Sequence, residues 1–121
     1  MIGNQEYLLA TFKMPSSWNN DFVETIGDRL LIQLKLKRLG FHKHLYDGRN
    51  PAFGGMTMIW FLAESHMILE TFREEGILEL SLATCKRQMD MQRYHNIFKE
   101  NGLEVVGTHF VAKGSEHKWL V

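Results

Sequence analysis

Apolar and polar positions along this chain alternate between a period of two and a period near 3.6, which divides it into short strands and two helices. Residues Glu6 to Met14 (EYLLATFKM) form a bounded apolar run closed by Pro15, the signature of a strand. Asp21 followed by Glu24 reads as a capping box opening a helix. Phe22, Ile26, Leu30 and Leu34 then recur every fourth residue as one buried stripe, and Gly40 offers a stop. Phe41 to Tyr46 reads as a short strand. Asp47-Gly48-Arg49-Asn50-Pro51 is strong turn chemistry, which Gly54-Gly55 extends. Three strands are predicted in close succession, at 56–63, 66–74 and 77–85, joined as antiparallel hairpins by their short connections. A second helix spans Arg87 to Asn101, with Met91, Tyr94, Ile97 and Phe98 inward and Gly102 as its stop. A last strand, Glu104 to Ala112, precedes a polar tail.

The order β-α-β-β-β-β-α-β predicts an α+β fold, a two-layer sandwich in which two helices cover one face of an antiparallel sheet. One domain, residues 1–121, accounts for the whole chain. Along 66–74, Met67, Leu69 and Thr71 point one way and Glu70, Phe72 and Glu74 the other. Along 77–85, Leu78, Leu80 and Leu82 oppose Glu79, Ser81 and Cys85. The leucine-rich sides read as the helix-covered core. The mixed side, with carboxylates, an aromatic ring and a thiol, is either solvent-facing or a site.

Composition narrows the function classes. Apolar residues make up 45% and charged residues 23%, as in an ordinary globular protein. Fourteen basic residues balance fourteen acidic ones, so no broad electrostatic case exists for nucleic acid or an anionic membrane. No apolar run is long enough to span a bilayer, and the first residues show no signal-peptide pattern. The single cysteine cannot form an internal disulfide and fits a reducing compartment, so a cytoplasmic location is expected. His42 and His44 share a strand face, but no third ligand accompanies them and no metal is expected.

Candidate chemistry centres on Glu64-Ser65-His66, between two strands, with Cys85 twenty residues later. Taken alone, Ser65 is a hairpin serine, Cys85 a small buried hydrophobe, and Glu70 with Glu74 a solvated strand face. Taken together, Ala63-Glu64-Ser65-His66, Thr71-Phe72-Arg73-Glu74 and Ala83-Thr84-Cys85 resemble the prokaryotic S-adenosylmethionine decarboxylase family. That family carries approximately E-S-H-x-[ST]-x-H-T-W-P-E, with F-T-C ending the following strand, and its Ser-to-Cys spacing is the one found here.

The resemblance implies a specific chemistry. The Ser65 hydroxyl attacks the carbonyl of Glu64 and converts the peptide bond to an ester. β-Elimination then releases the upstream chain and leaves a dehydroalanine that hydrolyses to a pyruvoyl cofactor. The pyruvoyl ketone takes the substrate amine as a Schiff base and serves as electron sink for decarboxylation. By the same resemblance Cys85 is the acid that reprotonates the product, Glu74 binds the ribose hydroxyls, Phe72 lies near the adenosine, His66 orients the cleaved turn and joins Phe72 and Glu74 in binding substrate, and Thr57 assists processing. The family histidine that takes the proton for elimination is replaced by Glu70. A carboxylate can be a base, though a weaker one than imidazole unless burial raises its pKa. For Glu70 to reach Ser65, a turn or bulge must follow the serine, since strict alternation puts the two on opposite faces. The family proline is likewise replaced by Arg73.

The implied function is a pyruvoyl-dependent S-adenosylmethionine decarboxylase of polyamine and spermidine biosynthesis, made as a proenzyme and working as a homodimer. The alternatives are an unprocessed, inactive member that binds a ligand or serves as a partner subunit, and a decarboxylase of a related amino acid.

Overall fold

In the computed structural model, residues 5–63, 65–85, 90–113 and 119–120 are described, with the backbone alone for 112, 113, 119 and 120. The order is β1 (Gln5–Lys13), α1 (Asn20–Gln33), β2 (Arg38–Leu45), β3 (Met56–Leu62), β4 (Ser65–Phe72), β5 (Ile77–Thr84), α2 (Met91–Glu100), β6 (Glu104–Lys113) and β7 (Trp119–Leu120). The strands form one antiparallel sheet ordered β2-β3-β4-β5-β1-β6-β7. This is the α+β sandwich expected from the pattern. The short β7 was not anticipated: it lies in what read as a polar tail.

Alternation dictates which face each strand buries. Leu8, Ala10 and Phe12 of β1, Met56, Met58, Trp60 and Leu62 of β3, Met67 and Leu69 of β4, and Leu78, Leu80 and Leu82 of β5 all point to one side. Val23, Ile26, Leu30, Leu31 and Leu34 of α1 and Tyr94, Ile97 and Phe98 of α2 close over them. Phe98 meets Phe12 edge-on with ring centroids 4.9 Å apart. Neither α1 nor α2 covers the other face of the sheet, and Leu9, Phe61 and Phe72 there are each more than a third exposed.

The ends of α1 differ from the sequence reading. Its cap is Asn19, whose side chain accepts the Phe22 amide at 2.8 Å, and Asp21 lies inside the first turn, where a carboxylate favours the helix dipole. Phe22 therefore falls off the buried stripe; it is exposed and packs on Trp18 with centroids 5.0 Å apart. The helix stops at Lys35 and not at Gly40, which lies within β2. Lys35 adopts the left-handed conformation (φ 56°), and the Leu36 amide reaches back to the Leu31 carbonyl at 2.9 Å, a Schellman closure. At α2, Asp90 caps the helix by accepting the Gln92 amide at 2.8 Å, so the helix begins at Met91 and not at Arg87, which lies outside the described residues. Gly102 (φ 71°) ends it as expected.

Arg73, which stands where the family motif has proline, ties three loops together. Its guanidinium donates to the Trp18 carbonyl at 2.6 Å and to Asn20 Oδ1 at 2.7 Å, and lies over the Phe53 ring. Asn20, itself buried, donates to the carbonyls of Pro51 and Gly54. Arg73→Ala removes two charge-assisted bonds and is expected to cost about 1.5–3 kcal/mol. Urea unfolding checks this: the midpoint falls, and a midpoint equal to that of the unaltered protein contradicts the tie.

Candidate active site

The β3–β4 hairpin places the serine. Leu62 pairs with Ser65 across a two-residue loop, Ala63-Glu64, so Ser65 is the first residue of β4. Glu64 lies outside the described residues. On the other side of β4, His66 pairs with Ala83, which sets Thr84 beside Ser65 and Cys85 one residue past the end of β5. The Cys85 amide donates to Ser65 Oγ at 3.1 Å, and Gln5 Nε2 donates to Cys85 Sγ at 3.9 Å. Serine and thiol, twenty residues apart in sequence, are thus neighbours because the β4–β5 hairpin folds them together.

A cavity of about 180 Å³ opens at this corner, lined by Gln5, Tyr7, Ser65, His66, Ala83, Thr84 and Cys85. Tyr7 and His66 also line a more apolar hollow of about 300 Å³ on the uncovered face, along with Leu9, Ser81 and His109. Ser65 offers a hydroxyl held by an amide N–H next to the peptide bond that precedes it, and a half-buried thiol and an exposed imidazole line the same cavity. Such a set can carry out an attack by the hydroxyl on that peptide bond and a later proton transfer by the thiol.

The remaining sequence candidates lie elsewhere. Register runs without interruption from Ser65 to Glu70 against β3 and from His66 to Phe72 against β5, so the bulge required after Ser65 is absent. Ser65 keeps the phase of Met67, Leu69 and Thr71 on the helix-covered side, whereas Glu70 points to the uncovered face. The two are five residues apart, roughly 16 Å along the strand. Thr57 pairs with Glu70, not with Ser65, and its Oγ1 is 2.9 Å from the Tyr46 hydroxyl. Phe72 ends β4, and Glu74 is exposed in the turn that leads to Gly76. Within one chain, then, Ser65, His66 and Cys85 come together, and Thr57, Glu70, Phe72 and Glu74 gather toward the opposite ends of the strands. Glu70 cannot serve as a base for Ser65 of its own chain.

Gln5 and Tyr7 are corner residues that sequence reasoning did not single out, and it gave Thr84, named only within its motif, no role. Nor did it single out Glu6, which is fully buried and accepts a 2.8 Å hydrogen bond from Tyr94 Oη. Burial first, and then the bond to Glu6, hold the Tyr94 phenol well above its ordinary pKa. Among the described residues, no group of three or more His, Cys, Asp or Glu side chains gathers to hold a metal ion, and no helix is long and apolar enough to cross a membrane.

The family model for S-adenosylmethionine decarboxylase matches residues 14–107, most of the chain, including Ser65, Cys85 and the strands between them. The chain belongs to the S-adenosylmethionine decarboxylase family. A crystal structure of the adenosylmethionine decarboxylase from Aquifex aeolicus VF5 superposes with a TM-score of 0.66 over 92% of this chain and 88% of that one. Identity between the two is 13%, so that likeness bears on the fold alone. No curated protein matches the sequence. As a member of the decarboxylase family the chain is a divergent one: its own motif carries Glu70 and Arg73 where the family pattern has histidine and proline.

Proposed function

We propose that this protein is a pyruvoyl-dependent decarboxylase of S-adenosylmethionine, produced as a proenzyme that cuts itself between Glu64 and Ser65. The observation that carries the reading is the corner itself: the family serine accepts an amide hydrogen bond from the family cysteine, beside a cavity and at a tight hairpin. The surroundings of position 65 suit a pyruvoyl group, because a backbone donor, the Cys85 N–H, is directed at this residue and a cavity opens beside it. When formed, that group supplies an electron-withdrawing ketone for a substrate amine. The chain's own residues do the rest. The Cys85 thiol delivers a proton to the product carbon, Gln5 orients the thiol, and His66 lies on the open side of the cleaved turn.

The protein works as a homodimer in this reading, its two uncovered sheet faces stacked. Stacking buries Leu9, Phe61, Ile68 and Phe72, which otherwise stay wet. A two-fold axis across the strands lays the Phe72 and Glu74 end of one sheet over the Ser65 and Cys85 end of its partner. Ring and carboxylate then reach the nucleoside of a substrate held by the other chain.

Mixing variants tests this. Ser65→Ala and Glu74→Ala homodimers are each expected to be inactive. After exchange, half of the dimers are mixed and each has one intact site, so activity returns to about a quarter of the unaltered level. No recovery after verified exchange contradicts sites shared between chains. Release of labelled CO2 from carboxyl-labelled S-adenosylmethionine tests the reaction itself. Processed protein that releases CO2 from a different amino acid only, and none from S-adenosylmethionine, overturns the substrate assignment.

One observation favours a second reading, an unprocessed member that binds a ligand: the residue standing in place of the family base is a carboxylate on the wrong face of β4. An uncut chain that binds S-adenosylmethionine without decarboxylating it supports that reading.

A further inference from the structure

Glu6 is the one buried acid among the described residues, with 0% of its surface exposed. A carboxylate in an apolar interior is costly unless paired, and apolar replacements at such sites are often stabilising, so its position calls for a purpose. Its position also places it near the expected chemistry. Glu6 pairs with Thr84 across β1 and β5. His66 pairs with Ala83, so Ser65 stands beside Thr84 on the other side. All three belong to the helix-covered face, where directly opposed residues have Cβ atoms about 4.5–5.5 Å apart. Ser65, Thr84 and Glu6 thus form one polar row across three strands, with Thr84 only 3% exposed and the Tyr94 hydroxyl bonded to Glu6 Oε2 at its far end. The other strand residues buried on that face are apolar except Thr71.

We propose that Glu6 is a positioning residue for self-cleavage, acting on the Ser65 hydroxyl through Thr84. This rests on the pyruvoyl reading above and supplies what that reading lacks, since Glu70 of the same chain is on the other face. In the step concerned, Ser65 Oγ bonds to the carbonyl carbon of Glu64 and the peptide C–N bond breaks. The proton leaving Oγ passes to Thr84 Oγ1 while the threonine's own proton moves toward Glu6. One proton returns along the row to the freed nitrogen, so the ester and the amine form with no net gain or loss. A threonine hydroxyl both donates and accepts, as such a relay needs. Away from water the field of the Glu6 carboxylate on the row is strong.

The test is the rate at which full-length chain is cut between residues 64 and 65, followed by intact mass with and without hydroxylamine, which cleaves an accumulated ester. Glu6→Gln keeps the shape and a partner for Tyr94 but not the charge. It is expected to slow cutting by roughly a hundredfold, the lower range of acid–base contributions, with an unchanged or raised melting temperature. Glu6→Asp recovers part of the rate, which a merely structural role does not explain. Thr84→Val slows cutting like Glu6→Gln, and Thr84→Ser restores it; should Glu6→Gln fail to fold, this pair decides. Equal rates in the unaltered protein and Glu6→Gln, or in Thr84→Val and Thr84→Ser, overturn the role of Glu6 and leave the pyruvoyl reading intact. No cut in the unaltered protein, with or without hydroxylamine, overturns both.

Discussion

Ser65→Ala yields a chain that stays whole on any incubation and releases no CO2 from S-adenosylmethionine. The reason is that both events depend on one oxygen atom. Without Oγ no ester forms at residue 64, the upstream segment cannot leave as a carboxylate by β-elimination, and no ketone appears at position 65. The fold should not notice the loss. Ser65 is half-buried at a strand end, and the Cys85 amide that donates to Oγ sits at the edge of a cavity large enough for water to replace the acceptor. The expected signature is therefore a complete loss of cutting and activity with a melting temperature close to that of the unaltered protein. Residual cutting between 64 and 65 in Ser65→Ala contradicts the assignment of the nucleophile.

The second large effect is on stability. Gly27 lies in the middle of α1, where glycine costs about 1 kcal/mol relative to alanine, so Gly27→Ala would normally stabilise. Here a Cβ would run into the six-membered ring of Trp60, at Cη2 and Cζ2. Trp60 has nowhere to retreat. It is fully buried, its Nε1 donates to Asp28 Oδ1 at 3.0 Å, and Phe41 packs on it with centroids 4.9 Å apart. Gly27→Ala is expected to lose about 1–3 kcal/mol net, seen as a lower denaturation midpoint. Trp60→Phe removes the clashing ring atoms, so the same Gly27→Ala change in that background becomes neutral or mildly stabilising. A coupling of about 1–3 kcal/mol between the two positions follows. Additive effects contradict the close approach of α1 to the sheet.

How much of this was legible in the sequence differs from element to element. The central strands were, because Met56-x-Met58-x-Trp60 and Leu78-x-Leu80-x-Leu82 alternate strictly and their connections are too short for anything but hairpins. The meeting of Ser65 with Cys85 was also legible, since a hairpin turning at residues 73–76 must bring those positions together. The helix ends were not. Ser16-Ser17-Trp18-Asn19-Asn20-Asp21 offers several capping side chains in a row, and only the bonds of Asn20 to the Ala52 and Gly54 carbonyls leave Asn19 as the cap. Lys35 gives no local sign that it will adopt a positive φ, which glycine usually supplies.

The role of Glu70 misled for another reason. Motif spacing fixes where a residue stands along a strand, but the phase of Met67, Leu69 and Thr71 fixes the face, and the two disagree unless the strand bulges. The same phase argument, carried back along β1 from Leu8, Ala10 and Phe12, puts Glu6 inside. That signal was present in the sequence; it needed only the period of two to be read through a charged residue.

Intact mass of the purified, full-length protein tests the central claim most directly. Self-processing predicts two species, residues 1–64 with a free carboxyl end and residues 65–121 lighter by one ammonia than a serine-started chain, and reduction with borohydride in the presence of an amine should tag only the second. A single 14.1 kDa chain that persists through long incubation, with no fragment and no tag, contradicts it.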